Sequence, residues 1–223
     1  DRDGTIDVVG GGSLAWWTRD GSGWTRRLID NFAFVPSGGL LAVTVADLDR
    51  DGDPDIAGTS FFNVFWWEND GTPLDEAGGG LGTSWTRHEV SQGHGQLRGI
   101  EIADLDRDGF GDLVAVDLAD GEVRWWRNDG SPADGVGGDG NSWTEGVIDD
   151  LTEAPRSAVP RDVDRDGDVD ILVASQISQA APGRLVWWLR GRASQFRVLY
   201  VSRREPLTEG VDRAQQARDL AQL

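Results

Sequence analysis

The chain has 223 residues, enough to bury the core of one domain, and 38% of them are hydrophobic, lowish but sufficient for a β architecture. A net charge of −18 excludes a nucleic-acid role, which needs a basic face to neutralise phosphate, and no apolar run approaches the length of a membrane span. With no cysteine there are no disulfides and no thiol chemistry, which leaves metal as the available staple.

All 21 basic residues are arginine. Two readings of this stand side by side: an acidic, lysine-free surface suited to high salt, and a GC-rich genome that favours Arg, Asp, Gly and Ala codons. The chain starts without an initiator methionine and inside a motif, as a processed product, an excerpt or an incomplete record would, so the lack of a leader says nothing about secretion.

That motif is an acidic loop. Its complete copies are Asp47-Leu48-Asp49-Arg50-Asp51-Gly52-Asp53-Pro54-Asp55, Asp104-Leu105-Asp106-Arg107-Asp108-Gly109-Phe110-Gly111-Asp112 and Asp162-Val163-Asp164-Arg165-Asp166-Gly167-Asp168-Val169-Asp170. Carboxylates at positions 1, 3, 5 and 9, with a glycine at position 6 for the sharp turn, suit a hard cation that takes six to eight oxygens. The main-chain carbonyl of position 7, which is Asp53, Phe110 or Asp168, can add one more. Calcium is the expected occupant. The opening Asp1-Arg2-Asp3-Gly4-Thr5-Ile6-Asp7 matches positions 3 to 9, with Asp1, Asp3 and Asp7 as its carboxylates. Laid before Asp1, the closing Ala221-Gln222-Leu223 continues the pattern. It places Gln222 at position 1 and predicts a weaker site there.

Position 9 falls at Asp7, Asp55, Asp112 and Asp170, and the repeats run approximately over 1–46, 47–103, 104–161 and 162–223. Each loop precedes a short apolar strand, such as Leu113-Val114-Ala115-Val116 or Ile171-Leu172-Val173-Ala174. A second strand ends in a tryptophan doublet: Trp16-Trp17, Trp66-Trp67, Trp125-Trp126 and Trp187-Trp188. A tight polar turn follows the first three doublets, as in Glu68-Asn69-Asp70-Gly71 and Arg127-Asn128-Asp129-Gly130. A third strand starts at Trp24, Trp85, Trp143 and Phe196. A fourth, such as Leu97–Ala103, leads into the next loop.

Four short antiparallel strands per repeat is the content of one propeller blade, and the spacing leaves no room for the helical crossovers of a parallel sheet. The tail from Val211 to Leu223 reads by register as an inner strand completing the first blade, and by composition as a helix. An EF-hand is rejected, because position 12 is Gly58, Ala115 or Val173 and the flanks read as strands.

The loop, its apolar strand and the Trp-Trp-Glu-Asn-Asp-Gly stretch at 66–71 together resemble the calcium-binding FG-GAP or VCBS-type repeats of integrin-α-like β-propellers, in their microbial form. The resemblance covers nearly the whole chain. It implies an all-β propeller of about four four-stranded blades, with calcium ligands at the aspartates of positions 1, 3, 5 and 9 of each loop. Propellers of this family usually have seven or eight blades, so four repeats belong to a longer protein, share a ring with a second chain, or close compactly through the matching termini.

On alternate sides of a strand, both rings of each doublet are buried only if sheets flank the blade on both faces; this inter-blade packing is the main expectation, with sugar stacking at a blade edge as the functional alternative. The Gly-rich stretches Thr72 to Ser84 and Ser131 to Ser142 are equivalent loops on one rim. His88 is placed on an outer strand and His94 in a Gly-flanked turn, neither near a Ser or Cys arrangement resembling a triad. No enzyme activity is therefore expected. The functional expectation is a secreted or cell-surface binding, adhesion or structural module that meets a protein or glycan partner, without nucleic acid or membrane insertion. The alternatives are a lectin-like glycan binder, a filament subunit self-associating through its termini, and an accessory domain of a polysaccharide-degrading enzyme.

Overall fold

The computed structural model describes residues 7–10, 12–31, 39–71, 85–132, 143–149, 154–175, 184–190 and 196–202. The expected tail strand, Gln222, Asp1, Asp3 and the Gly-rich stretch 72–84 lie outside the described residues, as does most of the stretch from Ser131 to Ser142.

The described residues form fifteen strands in four antiparallel sheets. The first sheet pairs β1 (Val8–Gly10), β2 (Leu14–Asp20) and β3 (Gly23–Asp30) in that order. The second runs β4 (Ala42–Ala46), β5 (Asp55–Thr59), β6 (Asn63–Asn69), β7 (Trp85–Gln92). The third runs β8 (Leu97–Ala103), β9 (Asp112–Asp117), β10 (Glu122–Asn128), β11 (Trp143–Asp149). The fourth runs β12 (Pro155–Arg161), β13 (Asp170–Ser175), β14 (Arg184–Arg190), β15 (Phe196–Ser202). Each sheet is a meander of neighbouring strands; the last three have the four-stranded blade content expected from the spacing, and the first has three strands among the described residues.

Each complete acidic loop joins the first two strands of one sheet: Ala46 pairs with Asp55, Ala103 with Asp112 and Arg161 with Asp170. A repeat counted from loop to loop is therefore cut one strand out of phase with the sheets.

The sheets stack through both faces of their central strands. On β9, Leu113 and Ala115 point into a core shared with the second sheet, including Leu48, Ala57, Trp66 and Trp126. Val114 and Val116 point the other way, into a core with Ala158, Ile171 and Val173. This strict alternation with both sides apolar is what a strand between two flanking sheets requires. The doublet of the second sheet obeys the same rule, with Trp66 packed toward the third sheet and Trp67 toward the first, and both rings are fully buried. In the third sheet Trp126 is buried and Trp125 partly so.

Position 2 of the first two complete loops plugs the next interface. Leu48 and Leu105 are completely buried there, whereas Val163 is 37% exposed. Among the described residues no helix is long and apolar enough to cross a membrane.

Candidate metal centre

Each loop is folded by its own carboxylates. At position 3, Asp49, Asp106 and Asp164 accept the main-chain N–H of position 5 through Oδ1, at 3.0, 3.2 and 3.1 Å. At position 5, Asp51, Asp108 and Asp166 accept the N–H of position 7 at 2.7, 2.9 and 2.8 Å. These Asx turns use one oxygen of each carboxylate and leave the other to take a further partner. At position 1, Asp104 and Asp162 accept the position-6 glycine N–H, at 3.0 and 3.1 Å. That glycine has φ of 97°, 92° and 90° at Gly52, Gly109 and Gly167, in the region closed to most side chains.

Position 9 is the staple. Asp55 is fully buried and accepts the N–H of Leu48 at 2.8 Å and of Asn69 at 2.9 Å, and Asp112 does the same with Leu105 and Asn128, both at 2.9 Å. Asp170 accepts the N–H of Val163 at 3.0 Å. Burial pushes the Asp55 carboxyl up to about 7, against the two main-chain donors that lower it and with help from Asp49 and Asp51. Burial pushes Asp112 up to about 6 in the same way, with Asp106 and Asp108 adding to it. Without a cation these loops hold their carboxylates at a cost in charge repulsion and desolvation.

Carboxylate oxygens of Asp47, Asp49 and Asp55 lie within 4.8 Å of one another, and so do those of Asp162, Asp164 and Asp170. Both trios are positions 1, 3 and 9. In the second loop the trio is Asp104, Asp106 and Asp108, positions 1, 3 and 5. The donors are all hard oxygens, the set a calcium ion takes. In the second loop Asp104 Oδ1 is buried with no hydrogen-bond partner, an orphaned anionic oxygen that a cation would satisfy. The residues fit the metal that the motif implies.

The remaining expected ligands divide by what their side chains do. Asp51 and Asp166 lie outside the gathered trios and cap their turns. Asp112 stays with its two N–H donors rather than joining the second trio. The position-7 side chains turn outward. A Cβ on Gly71 would stand 2.6 Å from Asp53 Oδ2, the Phe110 ring lies 4.1 Å under the Arg50 guanidinium, and Asp168 pairs with Arg107 at 2.7 Å. Asp7, the described end of the truncated first loop, is half-buried beside a cavity of about 330 Å³ also lined by Trp16, Ile56, Asn69 and Trp85.

Several residues that matter here carry no acidic signature. Asn69 and Asn128 follow the doublets, and besides bonding position 9 they accept the N–H of Gly71 at 3.1 Å and Gly130 at 2.9 Å. The Asn128 amide also donates to the Leu48 carbonyl of the preceding loop at 2.9 Å, tying one loop to the next sheet. Their recurrence after each of these doublets is the signal that could have found them. Arg127 donates to Asp106 through Nε and to Asp108 at 3.2 Å, inside the second acidic cluster, and recurrence gives no hint of it.

His94 corrects one expectation. Its Nε2 lies 2.8 Å from Ser91 Oγ, which donates to Glu145 Oε2 at 2.8 Å, so a serine and a carboxylate do stand beside it. Ser91 and Glu145 are 54 residues apart and come together only because β7 and β11 belong to adjoining sheets. The hydroxyl proton points at Glu145, while Glu145 Oε1 is 4.0 Å from His94 Nδ1. A relay that activates the hydroxyl would send that proton to the imidazole. The arrangement is a polar clasp between the second and third sheets. His88 sits on β7, the outermost strand of its sheet, stacked on Trp66 at 4.5 Å and bonded to Glu68 at 2.8 Å.

Antiparallel meanders stacked face to face, three of them four-stranded with an acidic loop between their first two strands, define a β-repeat protein of the propeller type. The chain belongs to the FG-GAP-like repeat family, whose model matches residues 1–58 and 104–173. No curated protein sequence matches it.

Proposed function

We propose that the chain is an extracellular, calcium-stabilised propeller domain, whole or as a segment of a larger ring, that serves as a non-enzymatic binding, adhesion or structural module. The observation that carries this reading is the convergence of positions 1, 3 and 9 in both the first and third loops. Calcium supplies positive charge there. The chain's own part is to hold Asp47, Asp49 and Asp55, or Asp162, Asp164 and Asp170, close enough for one ion to relieve their repulsion. Fixing the loop fixes the hairpin between the first two strands of the sheet, and through the position-2 plug it fixes the packing on the next sheet. The rim that results presents loops to a protein or glycan partner, a passive role consistent with a hydroxyl at Ser91 that is directed away from its histidine.

The test is thermal unfolding in millimolar calcium against excess chelator. Calcium is expected to raise the melting temperature by about 5 °C or more, since a site held at a hundredfold excess over its dissociation constant adds roughly 2.7 kcal/mol. An identical melt in a sample shown to be free of metal would remove calcium from the account.

A further inference from the structure

We propose that the residue after the tryptophan doublet can tune how tightly a loop takes up cation, with Arg127 acting as a built-in counter-cation that weakens the second loop relative to the other two. This rests on reading the loops as calcium sites.

The register puts these residues at the mouths of the loops. Ile56 pairs with Trp67, Leu113 with Trp126 and Ile171 with Trp188, so one step further Glu68, Arg127 and Leu189 stand abreast of the position-9 aspartates. Position in the repeat is the same, but the charge is negative, positive and neutral. Glu68 is engaged on its own sheet, with its carboxylate bonded to His88 Nε2 at 2.8 Å.

Arg127 instead reaches into its loop. Its guanidinium is bonded to Asp106 Oδ2 and to Asp108 Oδ2, the oxygens of positions 3 and 5 that the Asx turns leave free. An incoming ion must displace it or share those oxygens with it. Two further features of the second loop run the same way. Position 7 is Phe110 instead of aspartate, and its ring carries the Arg50 guanidinium, which packs so close that a Cβ on Gly109 would stand 2.5 Å from it. The second loop is also the one whose gathered trio omits position 9, and the one that keeps a buried carboxylate oxygen unpartnered. Arg127 therefore neutralises the loop only in part. It lowers the affinity for the ion without removing the need for one.

The experiment is a calcium titration by calorimetry on the full chain, paired with terbium luminescence sensitised by the tryptophans. The unaltered chain is expected to show a strong and a weak step. Asp49→Asn should abolish a strong step and Asp106→Asn the weak one, which assigns them. Arg127→Gln should tighten the weak step about tenfold, Arg127→Glu more, and Arg127→Lys should leave it near its starting value. A weak step unmoved by Arg127→Gln, in a variant with unchanged circular dichroism, would overturn this proposal and leave the calcium reading standing. Failure of any form to bind either ion would overturn both.

Discussion

The arginine at position 4 shows how much one residue is asked to do. Arg50, Arg107 and Arg165 have φ of 63°, 65° and 63°, the left-handed conformation that costs a non-glycine residue roughly 1–2 kcal/mol. The conformation swings the side chain out of its own loop and toward the next one. Arg107 reaches Asp168 of the third loop, and Arg50 reaches the Phe110 ring of the second. Replacing Arg107 separates the two contributions. Arg107→Ala is expected to lose the partly exposed ion pair and keep the strain, lowering stability in urea by about 1 kcal/mol. Arg107→Gly loses the same pair but releases the strain, and should be more stable than the alanine variant by about 1 kcal/mol. Equal losses for the two variants would show that the left-handed backbone carries no strain here. The acidic positions were readable because charge of one sign at one spacing, repeated three times, has few explanations. The arginine's conformation was not, because nothing in the residue type favours a positive φ; only its recurrence at position 4 of each loop marks it.

At the scale of the element, the loop and its hairpin depend on position 9 for two separable reasons. Asp112 holds the N–H groups of Leu105 and Asn128 whether or not an ion is present, while Asp106 contributes to the cluster chiefly through charge. Asp112→Ala leaves two buried donors unpaired and should destabilise the chain by about 3 kcal/mol in chelator and in calcium alike. Asp106→Asn keeps the Asx turn through its amide oxygen, so it should change stability by less than about 1 kcal/mol in chelator and lower it only when calcium is present. Paired unfolding curves in both media check this, and a calcium-dependent loss at Asp112 alone would reverse the assignment. The strands themselves were legible, because two-residue alternation and the doublets fixed them: Leu97–Ala103 is a strand with those bounds, and the strands read as third in the last three repeats, which are the fourth strands of the last three sheets, start at Trp85, Trp143 and Phe196 as read. Repeats counted from loop to loop miss the phase of the sheets, because a tandem repeat has no intrinsic starting point; the pairing of β4 with β5, β8 with β9 and β12 with β13 places each complete loop within a sheet.

For the molecule as a whole, the contacts between sheets decide stability, and they are of two kinds. The apolar kind follows from alternation and could be anticipated. The polar kind could not, because it joins residues far apart in the chain. Asp30 at the end of β3 accepts from the Trp67 indole at 3.2 Å and from Arg87 at 2.8 Å, and so links the first sheet to the second. The clasp around His94 links the second to the third. The imidazole is buried edge-on against Trp126.

It faces Glu145 from β11, Arg124 from β10, Asp117 from β9 and Asp120 from the turn between the last two. Burial holds the His94 imidazole below its ordinary value of 6.5, with Arg124 adding to the shift and the three carboxylates opposing it. Burial alone would raise Glu145, but the Ser91 hydroxyl, His94 and Arg124 outweigh it and hold the carboxyl below its usual 4.5. Asp117 is likewise depressed, because four main-chain N–H groups outweigh its burial.

All three groups act in one direction with pH. The folded chain prefers a neutral His94, so its contribution is complete above about pH 6.5 and is lost as the solution is acidified below that value. The contributions of Glu145 and Asp117 are complete above their ordinary carboxylate range and are lost below it. Asp55 and Asp112, raised to about 7 and about 6, oppose this in the absence of metal, since their protonated forms favour the fold as the pH falls. A single melting curve against pH therefore mixes opposing signs, and the useful quantity is the difference between the unaltered chain and His94→Gln, measured in chelator. Glutamine can still donate to Ser91 but cannot titrate. The difference should be constant above about pH 7 and should shift steadily in favour of the glutamine variant from about pH 6.5 down to 5. A difference that stays flat across that window would mean that His94 accepts a proton in the fold as readily as in water, and the clasp would then be a packing contact with no bearing on how the sheets respond to acid.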